Sequence, residues 1–492
     1  MTDLPLTVLK DRFGFDSLRP LQEKIVSRVM NGGDALVVMP TGSGKSLCYQ
    51  LPALALPGIE GIAPGVALIF SPLIALMEDQ VSALKAKGIR AEYINSTLSR
   101  KERERRYERL ADGQYELIYA TPERMEKPPF LDALARVPGG VKLLAVDEAH
   151  CISKWGHDLR PAYQRVGEFR RTIGSPPTVA LTATATAPVR ADIRATLGLT
   201  EDQMPLFASD IDRPNLSIKV HECWDDSDKD KQIIRTASDL HGTGIVYFAL
   251  IKDLERAADR LRKKIPGRRI DIYHGQLDPH RKKRVYDRFI EATPDDNLLL
   301  LATNAFGMGV DKPDIRFIIH AQLPGSVEAY YQEIGRAGRD GLPSRCELLY
   351  CQDDLAIQQN FIEWANPSAD LLAQVAAVVE THYNSTSTGD ASFTEEDIRL
   401  KVLGKGRGDG RIGYTLTTLE RLGVIESAPF MGHYQFVRPL DDATISPEDI
   451  QDKKQRDLTR LLDIVKLTKS EEIRAFIRDY FDLPITTLPA AN

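Results

Sequence analysis

A short apolar run, Leu36-Val37-Val38, leads straight into MPTGSGKS at 39–46, and a second run, Leu143-Leu144-Ala145-Val146, ends in DEAH at 147–150. Runs of that length without polar alternation read as strands buried on both faces, as in a parallel sheet. A strand entering a glycine-rich turn and then a helix points backbone N–H groups and the positive helix end outward, which seats a phosphate chain. Gly42 and Gly44 let the backbone approach the phosphates, with Thr41 and Ser43 beside them. Lys45 reaches the β/γ oxygens and the Ser46 hydroxyl suits Mg²⁺. Asp147 and Glu148 can hold the metal and polarise water. Together the two segments imply nucleoside triphosphate hydrolysis. The loop departs from the full pattern at Met39, where glycine is usual. A plain glycine turn is the alternative for either segment alone, and their pairing in this order argues against it.

A chain of 492 residues is too long for one core and implies three or four domains. Hydrophobic residues at 42% and charged residues at 27% describe a globular protein without a run of membrane-spanning length. The N-terminus lacks a basic, hydrophobic leader, so a cytoplasmic location is expected, with the nucleoid as the site in a bacterium. Five scattered cysteines with no C-x-x-C pair argue against a disulfide framework and a cysteine zinc site. The net charge of −6 does not announce nucleic acid, nor does it forbid a local basic groove.

Short apolar strands alternate with helical stretches over residues 1–207, at 35–39, 66–70, 116–120, 142–146 and 178–182. A second α/β unit, 208–352, has strand candidates at 244–248, 269–273, 298–302, 316–321 and 347–351, and no phosphate loop. The fold class expected is α/β: two parallel-sheet lobes, followed by a helical region. Alternation stops after Asp353. Helical sequence at 354–383 and a polar join make a linker region, 353–392. Residues 393–440 read as helices ending in a two-stranded hairpin about Gly432, a winged-helix-like module, and 441–492 as a helical pair and tail.

The chain resembles the RecQ family of superfamily 2 DNA helicases. FGFDSLRPLQEKIV, MPTGSGKS, SPLIALMEDQV, YATPERM, VDEAHCISKWGHDLRPAY, ALTATAT, DRPNL, YHGQL, LATNAFGMGVDKPDIRFIIH and YYQEIGRAGRDG carry the resemblance, over about residues 8–352. It implies two RecA-like lobes that take ATP and Mg²⁺ and move 3′ to 5′ on single-stranded DNA. Residue by residue, Gln22, with Arg19 nearby, would read adenine through its amide. Arg336 and Arg339, three apart and so on one helix face, would neutralise phosphoryl charge from the second lobe, with Arg339 as the finger; the alternative is that they anchor to Glu333 or Asp340. Trp155, His157, Arg160 and Tyr163 would form an aromatic-rich loop that stacks bases and couples DNA to hydrolysis, the alternative being rings that are partly core, and Leu159 stands where the family usually has Phe. Ser71, Thr121, Arg124 and Thr303, at strand ends, would contact the DNA backbone. Thr182 and Thr184 would link nucleotide and DNA sites, or simply bond neighbouring strands.

The C-terminal part departs most from the family. In SEEIRAFIRDYFDLP, Glu472 stands where a zinc-ligating cysteine would, and no thiolate and imidazole cluster follows, so no zinc is expected. Phe430, Met431, His433 and Tyr434 at the hairpin could wedge at a duplex junction or pack the wing on its own helix. Arg407, Arg411 and Arg421 could meet phosphates or be solvated. The expected partners are single-stranded and partly duplex DNA, met by a monomer, with no membrane. An RNA helicase and a DNA-stimulated remodeller that does not separate strands are the alternatives; ISKWGHD and the winged-helix-like unit favour DNA.

Overall fold

The computed structural model describes residues 3–58, 64–153, 161–209, 212–307, 310–385, 392–404, 410–428, 432–441 and 446–483. They divide into two compact units: one holds two large sheets and the helix Ile473–Phe481, the other the segment Tyr350–Lys469. Among the described residues no helix is long and apolar enough to cross a membrane.

The first sheet has seven strands: β1 (Ala35–Val38), β2 (Val66–Phe70), β3 (Ala91–Ile94), β4 (Leu117–Ala120), β5 (Val141–Val146), β6 (Thr178–Thr182) and β7 (Leu206–Ala208). Their order is β3-β4-β2-β5-β6-β1-β7, and every neighbouring pair is parallel. β1, β2, β4 and β6 are buried along their whole length, because helices cover both faces and leave no place for polar alternation. β3 and β7 were not legible in the sequence. β3 carries a buried Glu92, which is accommodated by ion pairs to Arg106 (2.9 Å) and Lys85 (2.8 Å), and β7 is only three residues long.

The second sheet holds β8 (Leu216–Glu222), β9 (Thr243–Tyr247), β10 (Arg269–Tyr273), β11 (Leu298–Ala302), β12 (Ile315–His320) and β13 (Ser344–Tyr350), in the order β10-β11-β9-β12-β13-β8. β11 is buried throughout. β8 is an edge strand of half-exposed residues, and its sequence gives no apolar run to mark it.

In the second unit the expected helical stretch at 354–383 consists of two helices, Asp354–Ala365 and Ala369–Ser385. Pro367 pushes Asn366 out of helical geometry (φ −126°, ψ 66°) and so ends the first of them. Helices Glu395–Leu403 and Arg411–Arg421 pack with a three-stranded antiparallel sheet, β14 (Phe393–Thr394), β15 (Ile425–Ser427) and β16 (His433–Phe436), in the order β14-β16-β15. Leu372, Val375 and Val379 of helix Ala369–Ser385 share one apolar core with Ile412, Leu416 and Ile425. Tyr434 stacks on Phe393 (centroids 5.9 Å apart), so this aromatic packs the hairpin onto its own sheet. Arg407, Phe430 and Met431 lie outside the described residues.

Candidate active site

β6 lies between β1 and β5, so the segments leaving the carboxyl ends of these strands converge, where open parallel sheets bind ligands. The loop after β1 places Gly42 at φ 79° and Gly44 at φ 81°, both left-handed. Crowding adds a second requirement for glycine. A Cβ on Gly42 would stand 2.9 Å from Arg339 Cδ, and one on Gly44 2.6 Å from Gln22 Nε2. Met39 fits because its side chain enters the core while its carbonyl accepts from Lys45 Nζ at 3.0 Å. Burial lowers the Lys45 pKa, and the Glu148 and Asp147 carboxylates pull it back upward. Ser46 Oγ accepts from Gln80 Nε2 (3.4 Å), and Gln80 Oε1 accepts from Tyr49 Oη (2.7 Å).

Asp147 continues the ladder through its N–H to Phe70 O (2.8 Å), and its Oδ1 accepts from Glu148 N (3.0 Å). Burial raises the Asp147 pKa, the neighbouring Glu148 charge raises it further, and Lys45 opposes both. This is a carboxylate short of positive charge. Glu148 is held left-handed (φ 49°, ψ 47°), at a cost of roughly 1 kcal/mol for a residue with a Cβ. Its buried Oε2 is 3.3 Å from His150 Nδ1 but receives no hydrogen bond. His150 Nδ1 lies 2.9 Å from Thr182 Oγ1, which donates to Thr184 O (3.0 Å) and accepts from Thr184 N (3.1 Å). Thr182 therefore connects the DEAH segment to the loop after β6.

Arg336 and Arg339 correct one expectation. Helix Val327–Ile334 stops before them, and they lie in a turn that passes through Gly338 at φ 54°. Arg213 Nη2 donates to Ala337 O (3.0 Å) and Gly338 O (2.7 Å), and Asn215 Nδ2 to Gly338 O (2.9 Å), so the DRPNL segment fixes this turn. The anchoring acids have other partners: Glu333 takes His320 (2.6 Å) and Asp340 takes Arg316 (2.5 Å). Arg339 Nη1 donates to Val310 O (2.9 Å) and Asp311 Oδ1 (2.7 Å). The Nε atoms of Arg336 and Arg339 are buried without a hydrogen-bond partner. Orphaned buried donors are costly, and here they call for an anion.

A cavity of about 300 Å³ gathers these groups, lined by Thr41, Gly42, Gly44, Lys45, Ser46 and Gln80 with Asp147 and Glu148, and by Asp311, Arg336 and Arg339. Lys45, Arg336 and Arg339 face Asp147 and Glu148 beside a glycine loop, a donor set that fits a Mg²⁺-bound polyphosphate. A larger cleft of about 630 Å³, near Arg269, Lys283 and Arg284, contains none of the motif residues singled out above. Gln22 is buried behind the phosphate loop with its amide engaged: Nε2 donates to Ser43 O (3.3 Å) and Gly44 O (3.2 Å), and Oε1 accepts from Arg19 N (3.0 Å). Arg19 Nη1 also donates to Ser43 O (2.9 Å). Both residues hold the phosphate loop.

Of the residues expected on a DNA track, Ser71 follows β2 and Thr121 follows β4, the adjacent strand, with Ser71 N donating to Ala120 O (3.1 Å). Arg124 N bonds Thr121 O (3.0 Å), and its Nε is buried without a partner. Thr303 follows β11 in the other sheet and is tied to Tyr273 O (3.1 Å). Trp155, His157, Leu159 and Arg160 lie outside the described residues. Tyr163 is wholly buried and its Oη donates to Asp147 O (3.1 Å), which ties this segment to the DEAH strand end. Sequence reasoning gave no role to Gln80, Asp311 and Arg213. Gln80 carried a signal, a polar residue on the helix after β2; the other two depend on contacts between distant segments.

Two family models match the chain, the DEAD/DEAH box helicase over residues 19–192 and the helicase conserved C-terminal domain over 228–341. The chain is 42% identical over 381 residues to the probable ATP-dependent DNA helicase RecS of Bacillus subtilis, covering 77% of this chain and 73% of that protein. It is 41% identical over 360 residues to the ATP-dependent DNA helicase RecQ of the same organism, covering 73% of this chain and 58% of that one. The chain thus spans little more than half the length of the latter. Among solved structures, the DUF1998 helicase MrfA bound to DNA and AMPPNP superposes with a TM-score of 0.58 at 20% identity, over 90% of this chain and 63% of that one, a likeness of fold.

Proposed function

Because the chain belongs to the RecQ family of ATP-dependent DNA helicases, we propose that it hydrolyses ATP to translocate 3′ to 5′ along single-stranded DNA and separate partly duplex DNA, in repair or recombination. The observation that carries the reading is the cavity in which Lys45, Asp147 and Glu148 of one sheet meet Arg336 and Arg339 of the other. In this reading Lys45 binds the β/γ oxygens and Glu148, whose Oε2 receives no hydrogen bond, orients the attacking water. Ser46 and Asp147 would hold Mg²⁺, which supplies positive charge to the phosphate oxygens. Arg339, with Arg336 beside it, stabilises the charge that develops on the transferring phosphoryl group. Arg19 and Gln22 serve the nucleotide by holding the loop that cradles it.

Ser71, Thr121, Arg124 and Thr303 would bind the DNA backbone, giving affinity without sequence choice, and Trp155, His157 and Arg160 would couple it to hydrolysis. Thr182 would relay between the two, a reading its bond to His150 supports. Residues 1–207 and 208–352 are the two motor lobes, and 393–440 a winged-helix-like module whose core is completed by helix Ala369–Ser385. No structural zinc is invoked: hydrogen bonds from Arg190 and Arg474 hold the helix after Glu472.

The test is ATP hydrolysis with single-stranded DNA, single-stranded RNA or neither, for the wild type and Arg339→Ala. Stimulation by DNA over RNA, and a loss on the order of a thousandfold in the variant, is expected. Equal stimulation by RNA would favour an RNA-directed ATPase, and a variant of unchanged rate would remove Arg339 from the chemistry.

A further inference from the structure

Helix Ile473–Phe481 is remote in sequence from the phosphate loop, the DEAH segment and the arginine turn, yet it bonds to both sheet-bearing lobes and to the segment joining them. Arg474 donates to the Asp212 carboxylate and the Leu216 carbonyl, and its Nη1 donates to Arg213 O at 3.2 Å. Arg190, on helix Ala187–Leu197 of the first lobe, donates to Phe481 O (2.8 Å) and Asp482 O (2.9 Å). Tyr480 Oη donates to Glu328 Oε1 (2.8 Å), and the Phe481 ring lies 5.3 Å from that of Tyr331; both partners sit on the helix that leads into Arg336.

The contacts form a chain. Arg474 fixes the backbone of Arg213, and the Arg213 side chain grips Ala337 O and Gly338 O, the two carbonyls between Arg336 and Arg339. The space enclosed by this helix, Pro40-Thr41 of the phosphate loop and Gly335 amounts to about 20 Å³, room for little more than one water. Packing that close transmits displacement instead of absorbing it.

We propose that helix Ile473–Phe481 is a brace that sets the arginine turn for hydrolysis, with Arg474 and Arg213 as positioning residues that act through Arg339. The inference rests on the assignment of Arg339 to phosphoryl charge. A misplaced arginine harms the transition state more than ground-state binding, so the signature is a fall in kcat at constant KM.

The experiment measures kcat and KM for ATP at saturating single-stranded DNA in Arg474→Ala, Arg339→Ala and the double variant. Arg474→Ala is expected to lower kcat by about tenfold, leave KM within about twofold, and cause no further loss once Arg339 is gone. Should Arg474→Ala not fold, Arg474→Lys is read the same way: it keeps the charge facing Asp212 and loses the fork that reaches three acceptors. An unchanged kcat in the Arg474 variant beside a large loss in Arg339→Ala overturns the brace alone. An equal loss from the Arg474 variant in both backgrounds does so too, since the effect then bypasses Arg339. An unchanged kcat in Arg339→Ala overturns the arginine assignment and the brace together.

Discussion

Replacing Gly42 by alanine strains the backbone and crowds the arginine at once. At φ 79° a residue with a Cβ costs roughly 1–2 kcal/mol over glycine. The new methyl would stand 2.9 Å from Arg339 Cδ, 3.0 Å from Cγ and 3.2 Å from Nε. Carbon atoms settle at about 3.5–4.0 Å, so the arginine stem must retreat by roughly 0.5–1 Å. That retreat draws Nη1 away from Val310 O and Asp311, the contacts that aim the guanidinium into the cavity. Misplacement by about 1 Å can cost on the order of a hundredfold, so kcat for DNA-stimulated ATP hydrolysis is expected to fall by roughly 10- to 100-fold. The assay compares Gly42→Ala with Arg339→Ala and the double variant. If the damage runs through Arg339, the double variant hydrolyses no more slowly than Arg339→Ala. A further tenfold loss in that background would refute the steric argument and place the defect in the loop itself.

Other residues give independent checks. Tyr163→Phe removes the bond to Asp147 O and should cost about 1–2 kcal/mol in urea unfolding, with slower ATP hydrolysis. Weaker DNA binding at unchanged stability would instead give the residue its role on DNA. Gln22→Ala frees the Ser43 and Gly44 carbonyls, so KM should rise for ATP and GTP alike; a rise for ATP only would mean the amide reads adenine. Glu347 is buried, which alone would raise its pKa, but His221, Gln232 (3.0 Å) and Thr236 (2.8 Å) outweigh burial and leave it lowered. A carboxylate lowered on folding stabilises above the ordinary carboxylate range and loses that contribution as pH falls through its folded pKa. Glu347→Gln should therefore be less stable than the wild type at neutral pH, and the gap should close in acid; a gap independent of pH would contradict this.

What the sequence disclosed depended on how local the determinant was. The phosphate loop, the DEAH segment and all ten strands expected in the two lobes rest on apolar runs and glycines a few residues apart, and the structure places a strand at each. β3 escaped because its buried Glu92 is neutralised by Arg106 of a separate helix, a compensation that pattern reading cannot see. The arginine pair was assigned a helix from its spacing, whereas Gly338 and the carbonyl grip of Arg213, over a hundred residues earlier in the chain, make it a turn. For Tyr163 the sequence leaves a stacking ring and a core ring both open, and only the fold shows its hydroxyl turned inward to Asp147. Helix Ile473–Phe481 belongs to the unit of the two large sheets, held by Arg190 and Arg474 contacts that have no sequence signature.

The central claim is that hydrolysis in the cavity between Lys45, Glu148 and Arg339 drives strand separation. Strand displacement on a 3′-tailed duplex with ATP, beside a 5′-tailed control and Glu148→Gln, tests it most directly. Displacement of the 3′-tailed substrate alone, abolished in Glu148→Gln, is the predicted result. Robust DNA-stimulated hydrolysis with no displacement from either tail would contradict the account, leaving a motor that remodels DNA without opening it.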